Sequence, residues 1–241
     1  MDYIKKLNEE GVVVIPKYLS KDDCKKIIEN VDNKMLEPSS NVINQGSEGI
    51  KGDFRIFKFE KICKKTLLFS KDKFIQKIVS NYYKKKLISH FTVAGKVVHD
   101  QKFKSNSGGD WHKDSEDKSL KAMVYLSDVN GSNGPFSIIT NSKKLNIKRR
   151  PGTYNFITKT IMFFKGLPTV PPRFSNSEIK CNPDLKIKTI TANAGTLLIF
   201  DGSFIHRGEI IKSGKRYSLT NYYFKSDWRT IYKIKRRHSK L

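Results

Sequence analysis

The sequence predicts an α+β domain in which N-terminal helices brace a β-sandwich. Apolar residues recur at helical spacing only in the first third of the chain. After that the texture changes to short segments rich in β-branched and aromatic residues, with no helical pattern between them. Turn residues, as in "NGSNGP" and "ANAG", punctuate those segments, so strands rather than helices are expected there.

The elements follow in order. "EEGVVVIPKYLS" reads as a strand that begins after Gly11 and stops at Pro16. Ser20 then caps a helix, with Asp23 three residues on in the pattern of a capping box. Cys24, Ile27, Ile28 and Val31 repeat at helical spacing and mark its inward face. A polar, glycine-containing loop is expected from Glu37 to Asp53, followed by the alternating strand "FRIFKFE". Phe74, Ile75, Ile78, Val79 and Tyr82 give a second amphipathic helix. The strands "HFTVAGKVVHDQKFK", "KAMVYLSDV", "PFSIITNS", "LKIKTITA", "GTLLIFD" and "RYSLTNYYFK" complete the sandwich. The segment from Lys143 to Lys188 is long, basic and broken by prolines, which suggests an insertion between two strands that covers a binding site.

At 241 residues the chain is long enough for one sizeable domain, and its apolar content is that of a globular protein. Its 47 Lys and Arg against 23 Asp and Glu leave a formal charge of +24. Two readings of that excess stay open: a lysine-rich solvated surface, or an anionic partner such as a phosphorylated metabolite, an acidic polymer or nucleic acid. Cys24, Cys63 and Cys181 are far apart and form no CxxC pair, which argues against a disulfide framework or a zinc knuckle. No apolar run approaches the ~18 residues that span a bilayer. The first fifteen residues carry acids where a signal peptide is apolar. A cytoplasmic protein without a membrane partner is the expectation.

The stretch "GGDWHKDSED" sets His112 and Asp114 one residue apart. Alone this is weak, because five histidines and 23 acids in 241 residues make about half a match expected by chance. The other end of the chain changes the balance. "GTLLIFDGSFIHRGEIIKSGKRYS" places His206 just beyond an apolar strand, and Arg216 enters the next strand ten residues later. Two imidazoles and one carboxylate form the face that holds iron(II) and leaves positions open. An arginine opening the following strand offers a planar fork to a further carboxylate.

Taken together these segments resemble the phytanoyl-CoA dioxygenase-like branch of the iron(II)/2-oxoglutarate-dependent oxygenases. "EEGVVVIPKYLSKDDCKKI" is similar to the family's opening strand and helix, "GGDWHKD" to its first two metal ligands, and "LSDVNGSNGPFSII" to the strand and Asn-Gly turn that follow. "GTLLIFDGSFIHRG" resembles the distal histidine strand, and "RYS" the Arg-x-Ser that grips the cosubstrate.

The resemblance implies a double-stranded β-helix, the cupin-like jelly roll, spanning residues 1–241 as one domain. It implies His112, Asp114 and His206 as iron ligands, with Arg216 and Ser218 on the far carboxylate of 2-oxoglutarate. Lys104 sits where relatives often carry a lysine near the cosubstrate or substrate, and it is equally readable as one more surface lysine. Tyr125 shares a strand face with Met123 and could present its hydroxyl to the pocket, although core packing suits both.

The implied cofactors are Fe(II), 2-oxoglutarate and O2, and the implied reaction releases succinate and CO2 while oxidising a substrate C–H bond. Related halogenases replace the carboxylate ligand with a small residue; Asp114 is present here, which favours hydroxylation, though desaturation, epoxidation or cyclisation need no different ligands. Where relatives read Pro-Gly-Ser-His after the Asn-Gly turn this chain reads "ITNSKK", which leaves the shape of the substrate loop open. The cations of the 143–188 segment favour a small anionic metabolite as substrate, and nucleic acid is disfavoured because no aromatic-plus-basic RNA motif is visible. Two other classes are weighed against the oxygenase: a catalytically inactive jelly roll that binds polyanions through its basic surface, and a zinc hydrolase on the same three ligands. The first would have no need of an intact ligand set, and the second leaves Arg216 without a task.

Overall fold

A computed structural model describes residues 2–37, 42–44 (backbone only), 52–99, 110–114, 120–143 and 173–225. Lys104 lies outside these residues, as does most of the basic run within 143–188.

The described chain begins with helix α1 (Tyr3–Glu10), strand β1 (Val12–Ile15) and helix α2 (Lys21–Leu36). Periodicity did not suggest α1, whose eight residues bury only Leu7. Its ends were nevertheless written in the chain. Asp2 accepts hydrogen bonds from the Ile4 and Lys5 amides, and Gly11, at φ 76°, closes the C-terminus. A side chain at Gly11 would also strike the Phe204 ring at 2.6 Å. Ser20 caps α2 by accepting from the Asp23 amide at 3.0 Å, and Cys24, Ile27 and Val31 are buried as expected.

The expected loop after Glu37 contains a short strand, β2 (Val42–Asn44), which pairs with β3 (Asp53–Phe57). β3 is followed by a 3-10 turn, helix α3 (Lys64–Ser70) and helix α4 (Lys73–Tyr83). In α4 the residues Ile75, Ile78, Val79 and Tyr82 face inward, whereas Phe74 is exposed and meets the Tyr3 ring edge-on.

The remaining strands are β4 (Leu87–Val98), β5 (Trp111–His112), β6 (Leu120–Tyr125), β7 (Phe136–Ile139), β8 (Arg173–Phe174), β9 (Ile187–Ile190), β10 (Leu197–Asp201), β11 (His206–Gly208) and β12 (Lys215–Lys225). Helix α5 (Asn176–Lys180) lies between β8 and β9 and starts with a full capping box of Ser175 and Glu178. Two antiparallel sheets result, a major one ordered β1-β10-β6-β12-β4-β3-β2 and a minor one ordered β8-β5-β11-β7-β9. This is the expected jelly roll. The later part of the 143–188 segment is built into it, since β8 and the start of β9 belong to the minor sheet.

Strand alternation explains where the core sits. Successive side chains of a strand point to opposite faces. In β10, Leu197 and Ile199 join the cluster under the helices, together with Leu7, Ile27, Val79 and Tyr82. Leu198 and Phe200 instead enter the layer between the sheets, beside Tyr125, Phe136 and Ile138. Both faces are therefore covered, which is why "LLIFD" is almost wholly apolar. Ile199→Ala would cost about 2–5 kcal/mol through lost burial and the cavity left behind.

In β12 the same alternation divides the work. Tyr217, Leu219, Asn221 and Tyr223 are buried on the helix side, while Arg216, Ser218, Thr220 and Tyr222 line a cavity between the sheets. Among the described residues no helix is long and apolar enough to cross a membrane.

Candidate active site

The two histidines meet because of strand register. β5 and β11 pair antiparallel with His206 directly opposite His112, so both rings stand on one face with centroids 4.5 Å apart. Asp114, two residues beyond His112, returns to that face, and its amide donates to the Gly202 carbonyl at 2.8 Å. One ligand atom from each of the three residues falls within 4.8 Å of the others, a spacing that could hold a metal ion. Asp114 Oδ1 lies 4.0 Å from His112 Nε2, and Oδ2 lies 3.5 Å from His206 Nε2.

Both imidazoles are oriented by backbone carbonyls. His112 Nδ1 donates to Asp110 O and His206 Nδ1 to Phe204 O, each at 2.8 Å. A carbonyl can only accept, so the proton sits on Nδ1 and each Nε2 lone pair faces the cluster. Burial, and then His206 itself, push the His112 pKa down to about 3. His206 is lowered chiefly by burial. Both rings are therefore neutral at pH 7 and competent as ligands. Burial alone would raise the Asp114 pKa, but the Lys121 ammonium and the two histidines outweigh it and hold the carboxyl below its usual range.

The triad opens on a cavity of about 320 Å³. At one part of it stands Arg216, which packs against Gly208 and Gly134; a Cβ on either would meet its guanidinium at 3.5 or 3.3 Å. Arg216 Nε is buried and has no hydrogen-bond partner among the described residues. Burial lowers the Arg216 pKa from its usual value. An orphaned, desolvated guanidinium nitrogen of this kind suits an incoming carboxylate. Ser218 lines the same cavity, with its hydroxyl 3.1 Å from the point where a Cβ on Gly95 would lie.

Tyr125 is placed differently. Its hydroxyl donates to Ile190 O at 3.1 Å and accepts from the Phe136 amide at 2.8 Å, and the residue is fully buried outside the cavity lining. It braces β6 against β7 and β9. Arg207 likewise stacks on the Trp111 ring at 4.2 Å and donates to Asn176 and Glu209.

Several cavity residues were not singled out from sequence. Lys121 makes an ion pair of 2.7 Å with Asp114 Oδ2. It shares the strand face of Met123 and Tyr125 by simple parity, and that was the available signal. Arg55 lies on β3 with Asp53 at 3.3 Å. Arg173, by contrast, is one of the cations of the 143–188 segment expected near the pocket; it sits directly opposite His112 in the β5–β8 ladder, 3.7 Å from Asp110. Among the described residues the cavity lining thus carries four cations, Arg55, Lys121, Arg173 and Arg216, against two acids, Asp53 and Asp114.

A jelly roll with His-x-Asp and a distal His facing one cavity defines the 2-oxoglutarate-dependent oxygenase class. Within it, the chain belongs to the phytanoyl-CoA dioxygenase (PhyH) family, whose model matches residues 7–217. No curated protein matches the chain.

Solved structures with the same fold are distant in sequence. The epimerase SnoN, in complex with Fe3+, alpha ketoglutarate and nogalamycin RO, is 13% identical with a TM-score of 0.70, covering 93% of this chain and 82% of its own. The alpha ketoglutarate dependent carbocyclase SnoK from nogalamycin biosynthesis is 14% identical, TM-score 0.64, covering 94% and 84%. EctD from S. alaskensis, with 2-oxoglutarate and 5-hydroxyectoine, is 15% identical, TM-score 0.68, covering 92% and 74%.

Proposed function

We propose that the protein is an Fe(II)- and 2-oxoglutarate-dependent dioxygenase that hydroxylates a C–H bond of a small anionic metabolite. The observation that carries this is the pairing of an oriented His112–Asp114–His206 cluster with a buried arginine, Arg216, whose Nε has no hydrogen-bond partner among the described residues. His112, Asp114 and His206 hold the metal, and Arg216 with Ser218 binds the far carboxylate of 2-oxoglutarate. When bound, iron with 2-oxoglutarate and O2 supplies an oxidant able to attack a C–H bond, with succinate and CO2 as co-products.

The chain's own residues do the positioning. The carbonyls of Asp110 and Phe204 keep each Nε2 turned inward. The aromatic and aliphatic walls, among them Phe136, Phe200, Val93 and Met123, limit water around the reacting centre. The excess of cationic lining residues favours an anionic substrate, and Arg173, beside His112 in the ladder, is placed to meet it. We assign the 143–188 segment, which carries Arg173, the role of covering that substrate.

The test is an anaerobic titration of metal-free protein with Fe(II) and then 2-oxoglutarate, followed by the visible metal-to-ligand charge-transfer band. Wild-type protein should show the band. Arg216→Ala should weaken 2-oxoglutarate binding by about 10- to 100-fold, the loss expected for hydrogen bonds to a charged group. A folded protein that binds metal but gives no band would overturn the oxygenase reading. Metal-independent, salt-sensitive binding to nucleic acid would then favour the polyanion-binding alternative.

A further inference from the structure

The two oxygens of the Asp114 carboxylate have different surroundings. Oδ2 is buried and lies 2.7 Å from the Lys121 ammonium. It also packs against the Cα of Gly202, where a Cβ would sit 2.2 Å from it. Oδ1 lies 4.0 Å from His112 Nε2 and Oδ2 3.5 Å from His206 Nε2, so both oxygens face the cluster.

Lys121 is itself held in place. It pairs in register with Phe200 of β10 and Tyr222 of β12, so the three side chains form one row on the inner face of the major sheet. The ammonium stands 5.0 Å from the centroid of the Tyr222 ring and 5.9 Å from that of Phe200. Two aromatic faces and one carboxylate make a slot that favours a cation and keeps it still.

We infer that Lys121 is a positioning residue that restricts Asp114 to ligating the metal through a single oxygen, by engaging Oδ2. The inference rests on the oxygenase reading of the site. A carboxylate with both oxygens free can turn to chelate an ion, and the second oxygen then takes a coordination position that the cosubstrate or O2 requires. An ammonium beside the ligand prevents this, and its charge also opposes that of the bound cation.

Two consequences of opposite sign follow from removing it. The bare divalent metal should bind more tightly, because repulsion is relieved and the carboxylate can offer both oxygens. The 2-oxoglutarate should bind more weakly to the metal-loaded protein, because a position it needs is taken.

The experiment compares wild type, Lys121→Met and Lys121→Arg. Co(II) binding to metal-free protein is followed by absorption, and 2-oxoglutarate binding to the Fe(II)-loaded protein by the charge-transfer band under nitrogen. For Lys121→Met the expected result is several-fold tighter Co(II) binding, about tenfold weaker 2-oxoglutarate binding, and a displaced band maximum. Lys121→Arg, which keeps the cation, should stay close to wild type. Should Lys121→Met fail to fold, Lys121→Gln carries the same expectation. Any other pattern overturns the inference, including both constants unchanged or both weakened together, as simple loss of packing would produce. A wild-type protein that binds neither Fe(II) nor 2-oxoglutarate retires the oxygenase reading itself, which is a separate outcome.

Discussion

Gly202 and Asp114 approach so closely that a methyl group on the glycine would lie 2.2 Å from the carboxylate oxygen Oδ2 and 3.0 Å from Asp114 Cβ. The Asp114 amide donates to the Gly202 carbonyl at the same point. The carboxylate is thus clamped by backbone on one side and by Lys121 on the other. Gly202→Ala should displace Asp114 and weaken divalent-metal binding by roughly ten- to a hundredfold while the fold survives. Co(II) titration checks the first part and circular dichroism the second.

Tyr125→Phe separates a core role from a cosubstrate role. The substitution strands the Phe136 amide and the Ile190 carbonyl, so stability should fall by about 1–3 kcal/mol. Affinity for 2-oxoglutarate should be unchanged. A large loss of that affinity without loss of stability would place the hydroxyl in the binding site after all.

The same residue sets part of the alkaline limit. Burial pushes its pKa up to about 12, and burial pushes Cys24 up to about 11. An acid whose folded pKa is raised contributes stability that is intact below its unfolded value and is lost as pH climbs through the folded one. In the window from about pH 10 to 12 the unfolded tyrosine gives up its proton first, so unfolding becomes easier by up to about 1.4 kcal/mol per pH unit. Urea midpoints measured across that window should fall less steeply in Tyr125→Phe than in wild type.

Lys143 ties the start of the proline-rich segment to the core. It donates to Asp201 Oδ2 at 2.9 Å and to the Tyr82 hydroxyl at 2.8 Å, and the Asp201 side chain is fully buried. Lys143→Met should therefore destabilise the protein by about 2–3 kcal/mol, a value reduced from that of a fully buried pair because the lysine is partly exposed. Equilibrium urea unfolding measures it. A change near zero would mean that the Ser203 amide and Tyr82 hydroxyl suffice for Asp201.

How much of this was legible in the chain depends on the distance over which each feature is determined. The jelly-roll strands were visible because β-branched runs and turn residues act locally. The triad was visible because His112 and Asp114 lie one residue apart and His206 follows just beyond an apolar strand. Lys121 could have been found by strand parity, since it alternates with Met123 and Tyr125. Gly202 could not, because its need to be glycine arises where one chain crosses another. β2 was missed because its pairing with β3 is a tertiary event across a polar, glycine-containing stretch. Helix α1 escaped a search for apolar periodicity because only one of its residues is buried, although its caps were present. Ser142, in the stretch that departs from the family pattern, accepts from the Ile205 amide at 2.7 Å and so props the approach to His206, a role no local pattern announces.

Between Arg216 and Ser218 stands Tyr217, which points the other way and donates from its hydroxyl to both carboxylate oxygens of Asp32, each at 2.9 Å. Asp32 belongs to α2 and also receives Lys96 of β4 at 2.8 Å. The strand that carries the proposed cosubstrate grip is thus anchored through its opposite face to a helix nearly two hundred residues earlier in the chain. A shortened protein lacking α2 would keep all three proposed metal ligands and the arginine itself, yet lose the anchor that fixes the arginine's depth. The N-terminal helices would then help to set the length of acid that the proposed grip accepts.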